Sequence, residues 1–296
     1  MTEREPAHPF AKDLNELQDA KLQLISTVRD LIDHTFQESD KEEQVLQTLK
    51  QLFHYMSSRS QAVSYLVSSG FPWDAEIILR SFYEASAKIW FICFEAESER
   101  SALVQEFWGL YAATHDHKRK HRVGPVRNLS KADGREGSAA IFDGLVNEAL
   151  FPSTPTNKRI RKDLEQKWSF SEIINALSDS KDEKAKVPDA DVLLHMYGQQ
   201  SHLIHADDAA LDLMLDRALR RKDELPILEA SHAARIMSDQ GSLWVFSLAA
   251  LRHMHGAEKL IPLEVAELWT AQTKQSEVLF DQFFDTQRNF YDTYAS

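Results

Sequence analysis

The chain has 296 residues, with 46 Asp and Glu against 34 Lys and Arg, a formal net charge of −12, and only nine Gly, nine Pro and one Cys. The acid excess argues against a protein that coats nucleic acid with its whole surface, and the single cysteine excludes an internal disulfide framework. The apolar runs fall far short of the roughly 20 residues that a membrane-spanning helix needs.

Few breakers, and a composition rich in Ala, Leu, Glu, Gln, Lys and Asp, point to an all-α chain of about ten helices in one bundle-like body, with long helical hairpins at both termini. The opening MTEREPAHPF carries acids and no apolar stretch, so no signal peptide is expected there. With a lone cysteine, Cys93, read as a small core hydrophobe, the chain is expected in a reducing cytoplasm.

Residues 1–70 are expected to form an N-terminal hairpin. An amphipathic helix runs from Phe10 to about Gln37, with Leu14, Leu17, Leu24, Val28, Leu31 and Ile32 on one face. Ser39 or Asp40 then caps a second helix whose Val45, Leu49, Leu52, Met56, Val63 and Val67 form a near-heptad stripe. Gly70 ends it, and Pro72 opens PWDAEIILRSFYEASAKIWFICFE, the most apolar helix in the chain. Glu76, Arg80, Glu84 and Lys88 recur along it at four-residue intervals, so one polar line crosses an otherwise greasy cylinder.

Residues 71–225 form the expected central core. A helix from Glu97 to His121 turns polar at THDHKRKHR, and Arg122 to Ser138 reads as a loop because it holds Gly124, Pro125, Gly134 and Gly137. A short helix around Ala139 to Leu150, the breaker FPSTPTN, a helix opened by Lys158, Arg159, Arg161 and Lys162, and one capped by Ser169 or Ser171 follow. A charged linker from Ser178 to Asp191 leads into DVLLHMYGQQSHLIHADDAALDLMLDRALRR, a helix broken near His205 or Ala206, with Leu211, Met214 and Leu215 on the apolar side of its continuation. Residues 226–296 form the C-terminal hairpin, Pro226 to His255 with a mild interruption at Gly241, then Pro262 to about Tyr294.

Charge is unevenly spread. From His115 to Lys167 there are twelve Lys or Arg against seven Asp or Glu, so the middle of the chain is basic within an acidic whole. Lys118, Arg119, Lys120, Arg122 and Arg127 are candidate phosphate contacts, since Lys and Arg neutralise phosphates without exact geometry. His117 and His121, with His115 or Asp116, have metal-ligand spacing, but the surrounding cations oppose a divalent ion. His195, His202 and His205 share a helical face without an HExxH pattern. No P-loop, GxGxxG turn or CxxC pair occurs, and no metal or cofactor is expected.

Ser201 and His205, four apart, share a face with Asp208 one turn on, but a helical serine lacks the strained elbow and oxyanion donors of a nucleophile. RSFYEA, Arg80 to Ala85, paired in order with YGQQSHLIHADDA, resembles an uncharacterised bacterial helical family of LLRSLLEA and YxxLSxxVH pattern, over about residues 45 to 225. The matching positions are Arg80, Ser81, Glu84, Tyr197, Ser201 and His205. That family is similar in outline to the HEPN superfamily of helical bundles from phage-defence and toxin systems, many of them RNA-cleaving dimers. The resemblance implies a site at Arg80, Glu84, Ser201 and His205, where the alternative is a structural polar network.

HEPN ribonucleases place an Arg, a polar residue and a His about four to six residues beyond the Arg on one helix. SHLIH lacks the Arg, whereas RDLIDH supplies Arg29, Asp30 and His34 as an alternative pair, diverging by about 140° around the helix. The expectation is a helical protein that binds RNA or a nucleotide, with a HEPN-like nuclease or toxin role as its sharpest form. The competing expectation is a non-catalytic protein that dimerises or docks a partner through residues 45–67 or the aromatics Trp269, Phe280, Phe283, Phe284, Phe290 and Tyr291.

Overall fold

A computed structural model describes residues 8–147, 157–187 and 189–294. Every regular element among them is helical: α1 (Ala11–Gln37), α2 (Glu43–Ser68), α3 (Pro72–Phe94), α4 (Glu97–Glu106), a π-helical turn (Phe107–Tyr111), α5 (Ala112–Ala132), α6 (Glu136–Leu145), α7 (Lys158–Lys167), α8 (Phe170–Ser178), α9 (Ala190–His205), α10 (Asp208–Leu219), α11 (Leu225–Met254) and α12 (Leu263–Tyr294). The protein is an all-α multi-helix bundle. None of these helices is long and apolar enough to cross a membrane.

Two helices share the centre. α3 buries Leu79, Phe82, Ile89 and Trp90 against α2 on one side and α11 on the other, while α8 and α9 cover a further face. α11 is buried along nearly its whole length because Ala, Ser and Gly let neighbouring backbones approach it closely. Trp90 donates its indole N–H to Ser247 Oγ at 3.1 Å, and Phe53 and Phe82 flank Trp244. α1 and α2 are consecutive, yet α2 packs mainly on α3, and α1 on α11 and α12. The stripe through Val45, Leu49, Met56 and Val63 is therefore spent inside the core.

Lys21 of α1 is fully buried and joins three helices. Its ammonium donates to Ser64 Oγ at 2.8 Å and Gln240 Oε1 at 3.3 Å, and the Gln240 amide donates to the Ser60 carbonyl at 2.8 Å. Burial pushes the lysine pKa down to about 8, because no carboxylate among the described residues pairs with it.

Several local expectations are corrected. The stretch expected as a loop from Arg122 to Ser138 is largely helical: α5 continues through Pro125 to Ala132. A proline disfavours helix at the residue before it partly by clashing with that residue's Cβ, which Gly124 lacks; Pro125 itself still leaves the His121 carbonyl without its helical donor. Gly134, at φ 70°, ends the run. The helix expected from Glu97 to His121 is interrupted by the π-helical turn, whose extra residue sets Phe107 and Tyr111 against Trp168.

α2 begins at Glu43 without a side-chain cap, and Ser39 Oγ instead accepts from the Lys41 amide and approaches His255. α6 spans Glu136–Leu145 rather than starting at Ala139, and the FPSTPTN breaker lies almost wholly outside the described residues. No interruption occurs at Gly241, because the glycine serves packing. A Cβ there would lie 2.0 Å from Gln272 Oε1, and Gln272 donates to the Met237 carbonyl at 2.7 Å. As expected, Ser169 caps α8, and the chain breaks at Ala206 in the left-handed region, φ 47°.

Candidate functional site

The polar line of α3 faces α9, which crosses it in the antiparallel sense. Tyr197 bridges the line: Arg80 Nη2 donates to the tyrosine oxygen at 2.8 Å, and the hydroxyl donates to Glu84 Oε1 at 2.7 Å. The guanidinium lies over the Tyr197 ring, 4.2 Å from its centroid, and Phe170 stacks on the ring at 4.3 Å. Burial and the Glu84 carboxylate push the phenol pKa well up, so the hydroxyl stays a donor.

Arg80 and Glu84 are thus brought together, while Ser201 and His205 make no hydrogen bond among the described residues. Register explains this. Gln200 sits opposite Glu76, within the first turns of α3, so His205, about 7.5 Å farther along at 1.5 Å per residue, runs past the start of α3. His205 is exposed at the end of α9.

One turn toward the N-terminus of α3 the same line enters a more enclosed place. Glu76 is buried. Its Oε2 accepts from Gln200 Nε2 at 3.2 Å, and its Oε1 accepts from His232 Nε2 at 2.9 Å and also pairs closely with Arg235. Arg235 reaches on to Asp239 at 2.8 Å, and Asp239 faces the buried Tyr83. Burial raises the Asp239 pKa, with Arg235 opposing, and burial together with Asp239 raises that of Tyr83. One guanidinium serves two carboxylates, and the rise in the Asp239 pKa favours its neutral form, which lessens the excess negative charge.

This cluster floors a cavity of about 410 Å³ between α3, α9, α10, α11 and α12. Trp73, Phe280, Phe283 and Phe284 provide aromatic lining, and Arg217 enters from α10. The Trp73 and His232 rings meet edge to face at 4.5 Å, and the Arg217 guanidinium lies 5.5 Å from the Trp73 centroid.

Three polar groups of this cavity are under-used. The Gln200 amide spends its N–H on Glu76, leaving Oε1 buried without a partner. His232 likewise spends Nε2–H on Glu76, leaving Nδ1 a buried, unpartnered acceptor. Its pKa is pushed down to about 4, by burial first and the Arg217 charge second, so the ring is neutral at physiological pH. Arg217 forms no hydrogen bond or ion pair through its side chain among the described residues. An unmade buried hydrogen bond costs about 1–3 kcal/mol, so these two acceptors face the cavity as positions for water or for a ligand's N–H groups.

The other expected residues are dispersed. Lys118 pairs with Glu165 at 2.7 Å, Arg119 with Asp116 at 2.8 Å, and Arg127 and Lys131 both engage Asp143, holding that carboxylate below its usual range. Lys120 also has partners, and Arg122 is exposed. Several cations of the basic segment are therefore paired with acids of α5, α6 and α7, and the face keeps a net positive charge.

Arg29 lines a small cleft of about 200 Å³ with Asp33 and His54, whereas His34 points elsewhere and pairs with Glu38 at 3.3 Å. His202 is held by Asp207 at 2.7 Å and His195 by Gln199 at 3.2 Å. Among the described residues no group of three or more His, Cys, Asp or Glu is arranged to hold a metal. Cys93 is buried, and burial raises its thiol pKa to about 12, which leaves it unreactive.

A model of a family of unknown function, DUF5677, matches residues 47–223, more than half of the chain. The chain belongs to this family. Neither the curated proteins nor the solved structures contain a match. The DUF5677 match spans α2 to α10 and so supplies Trp73, Glu76, Gln200 and Arg217, while His232, Arg235 and the phenylalanines come from helices beyond it.

His232, Arg235 and Asp239 escape a sequence reading of α11, which registers the helix as apolar. Their signal is spacing: three and then four residues apart, they form a polar line on a greasy helix, just as Glu76 to Lys88 do on α3. Two such lines in two buried helices are expected to face each other.

Proposed function

We propose that this DUF5677 protein binds a small ligand of the nucleotide class in the cavity over Glu76, using its aromatic wall for the base, Gln200 Oε1 and His232 Nδ1 for base N–H groups, and Arg217 for the phosphate. The observation that carries the reading is the convergence, on one aromatic cavity of about 410 Å³, of two buried acceptors and the Arg217 guanidinium, which among the described residues have no hydrogen-bond partner. That size falls within the roughly 300–1,000 Å³ usual for small-molecule sites. A ligand bearing adjacent N–H donors and an anionic group matches all three features. A purely apolar ligand would leave the acceptors unpaired, and a long polyanion would use none of the enclosure.

Binding is favoured over catalysis. A general base works best with a pKa near the operating pH, and His232 at about 4 is a weak base that suits accepting a hydrogen bond. Cys93 is inert and Tyr83 is held protonated, so neither offers an activated nucleophile. A HEPN-like ribonuclease of a phage-defence system would need an Arg and a His on one scissile phosphate. Arg29 and His34, in different surroundings, support that less than the cavity supports a nucleotide.

Thermal unfolding with AMP, GMP, CMP and UMP, each beside its nucleoside, tests the proposal. A ligand at 100 times its Kd adds about 2.7 kcal/mol of stability, which a melting shift detects. At least one monophosphate is expected to stabilise the wild type more than its nucleoside does, and Arg217→Ala removes that difference. If no nucleotide stabilises the protein while single-stranded RNA binds with steep salt dependence, the cavity reading fails and the basic face of α5 takes its place.

A further inference from the structure

α10 has two faces, and only one is accounted for by the cavity. Ala210, Leu213 and Arg217 lie toward the body of the protein, where Ala210 is buried and the other two line the cavity. The remaining apolar residues, Leu211, Met214, Leu215, Ala218 and Leu219, recur at the three- and four-residue spacing of one helical stripe. That stripe is open: Leu211 is 57% exposed, Leu215 56% and Leu219 76%. The sequence reads Leu211, Met214 and Leu215 as a core face. The structure turns them outward because α10 packs chiefly on α9. A contiguous apolar stripe is uncommon on a monomer surface and marks a contact.

Charge identifies the partner. Asp208 and Asp212 stand exposed in the N-terminal half of α10, and the exposed Lys222 follows its C-terminal end, where Arg220 and Arg221 are already matched by Asp216 and Asp223. Laid antiparallel on an identical helix about a two-fold axis at Leu215, the stripe matches itself. Leu215 meets the partner's Leu215, Leu211 meets the partner's Leu219, and Asp208 of one copy lies beside the partner's Lys222. A parallel partner would set acid on acid and base on base, which is destabilising. An isologous contact requires this self-complementarity.

We propose that the chain forms a homodimer through antiparallel pairing of α10 with its copy. The pairing does not depend on the nature of the cavity ligand, because it uses the opposite face of α10.

Analytical ultracentrifugation across concentration tests it. The wild type is expected to dimerise in the micromolar range, and Leu215→Glu to weaken the dimer about 100-fold, since each substitution counts twice in a two-fold contact. Asp208→Lys weakens it more mildly, and adding Lys222→Asp in the same chain restores it. Leu215→Cys is expected to cross-link the dimer on oxidation. Leu219→Cys alone is not, because the two copies of position 219 stand about 12 Å apart along the paired axes, beyond the reach of a disulfide. A chain that stays monomeric at about 100 μM overturns the proposal. A dimer indifferent to Leu215→Glu overturns it as well, as does one in which Leu219→Cys cross-links and Leu215→Cys does not.

Discussion

Replacing Lys21 by Met tests whether a charge is held inside this bundle without a counter-charge. Lys21 is 0% exposed, and among the described residues its ammonium donates to Ser64 Oγ and Gln240 Oε1 alone. Its pKa falls from 10.5 to about 8 in the folded chain. At 1.36 kcal/mol per tenfold change in proton affinity, this corresponds to about 3 kcal/mol. The folded state holds the proton less tightly than the unfolded state, so the penalty is complete below pH 8. It is relieved as pH rises from 8 to 10.5, and stability from this group increases over that window. Methionine removes the charge but leaves Gln240 Oε1 without a donor, at a cost of about 1–3 kcal/mol that does not vary with pH. Lys21→Met is therefore expected to be near neutral or stabilising at pH 7 and destabilising near pH 10.5. Urea unfolding followed by tryptophan fluorescence at pH 7, 8.5 and 10 measures the difference between the two proteins. A difference that stays constant within about 0.5 kcal/mol across the series would refute the reasoning.

Three further predictions concern the site and its frame. His232, with its pKa at about 4 against 6.5 unfolded, stays neutral while the unfolded chain takes up a proton, so the wild type loses about 3 kcal/mol between pH 6.5 and 4; chemical denaturation of His232→Gln should lack that loss. Gly241→Ala forces Gln272 away from the Met237 carbonyl and is expected to destabilise by about 1–2 kcal/mol. In a Gln272→Ala background the same change stabilises by up to about 1 kcal/mol, as helix propensity returns. Tyr197→Phe removes the bridge between Arg80 and Glu84 and is expected to cost about 1–2 kcal/mol in thermal unfolding; a neutral outcome would mark that network as solvated and weak.

The helical class, the central place of α3 and its polar line follow from composition and periodicity. What that line touches does not, because partner choice depends on how far α9 slides along α3. Gln200 and Tyr197 face the line, whereas Ser201, one residue and about 100° on from Gln200, and His205, past the start of α3, do not. The second polar line, on α11, is visible in spacing, yet His232 and Arg235 become meaningful only once α11 is known to lie beside α3. Gly124 and Pro125 read as a break, yet α5 passes through both. The apolar side of α10 is plain in the sequence, but solvent exposure of that face is a tertiary fact.

Calorimetric titration of the wild type and Arg217→Ala with a nucleoside monophosphate and with its nucleoside addresses the cavity most directly. The wild type is predicted to bind the monophosphate at least tenfold more tightly than the nucleoside, a difference of about 1.4 kcal/mol, and Arg217→Ala to bind both alike. Equal affinities in the wild type, or a monophosphate preference that survives the loss of Arg217, would contradict the nucleotide-binding account.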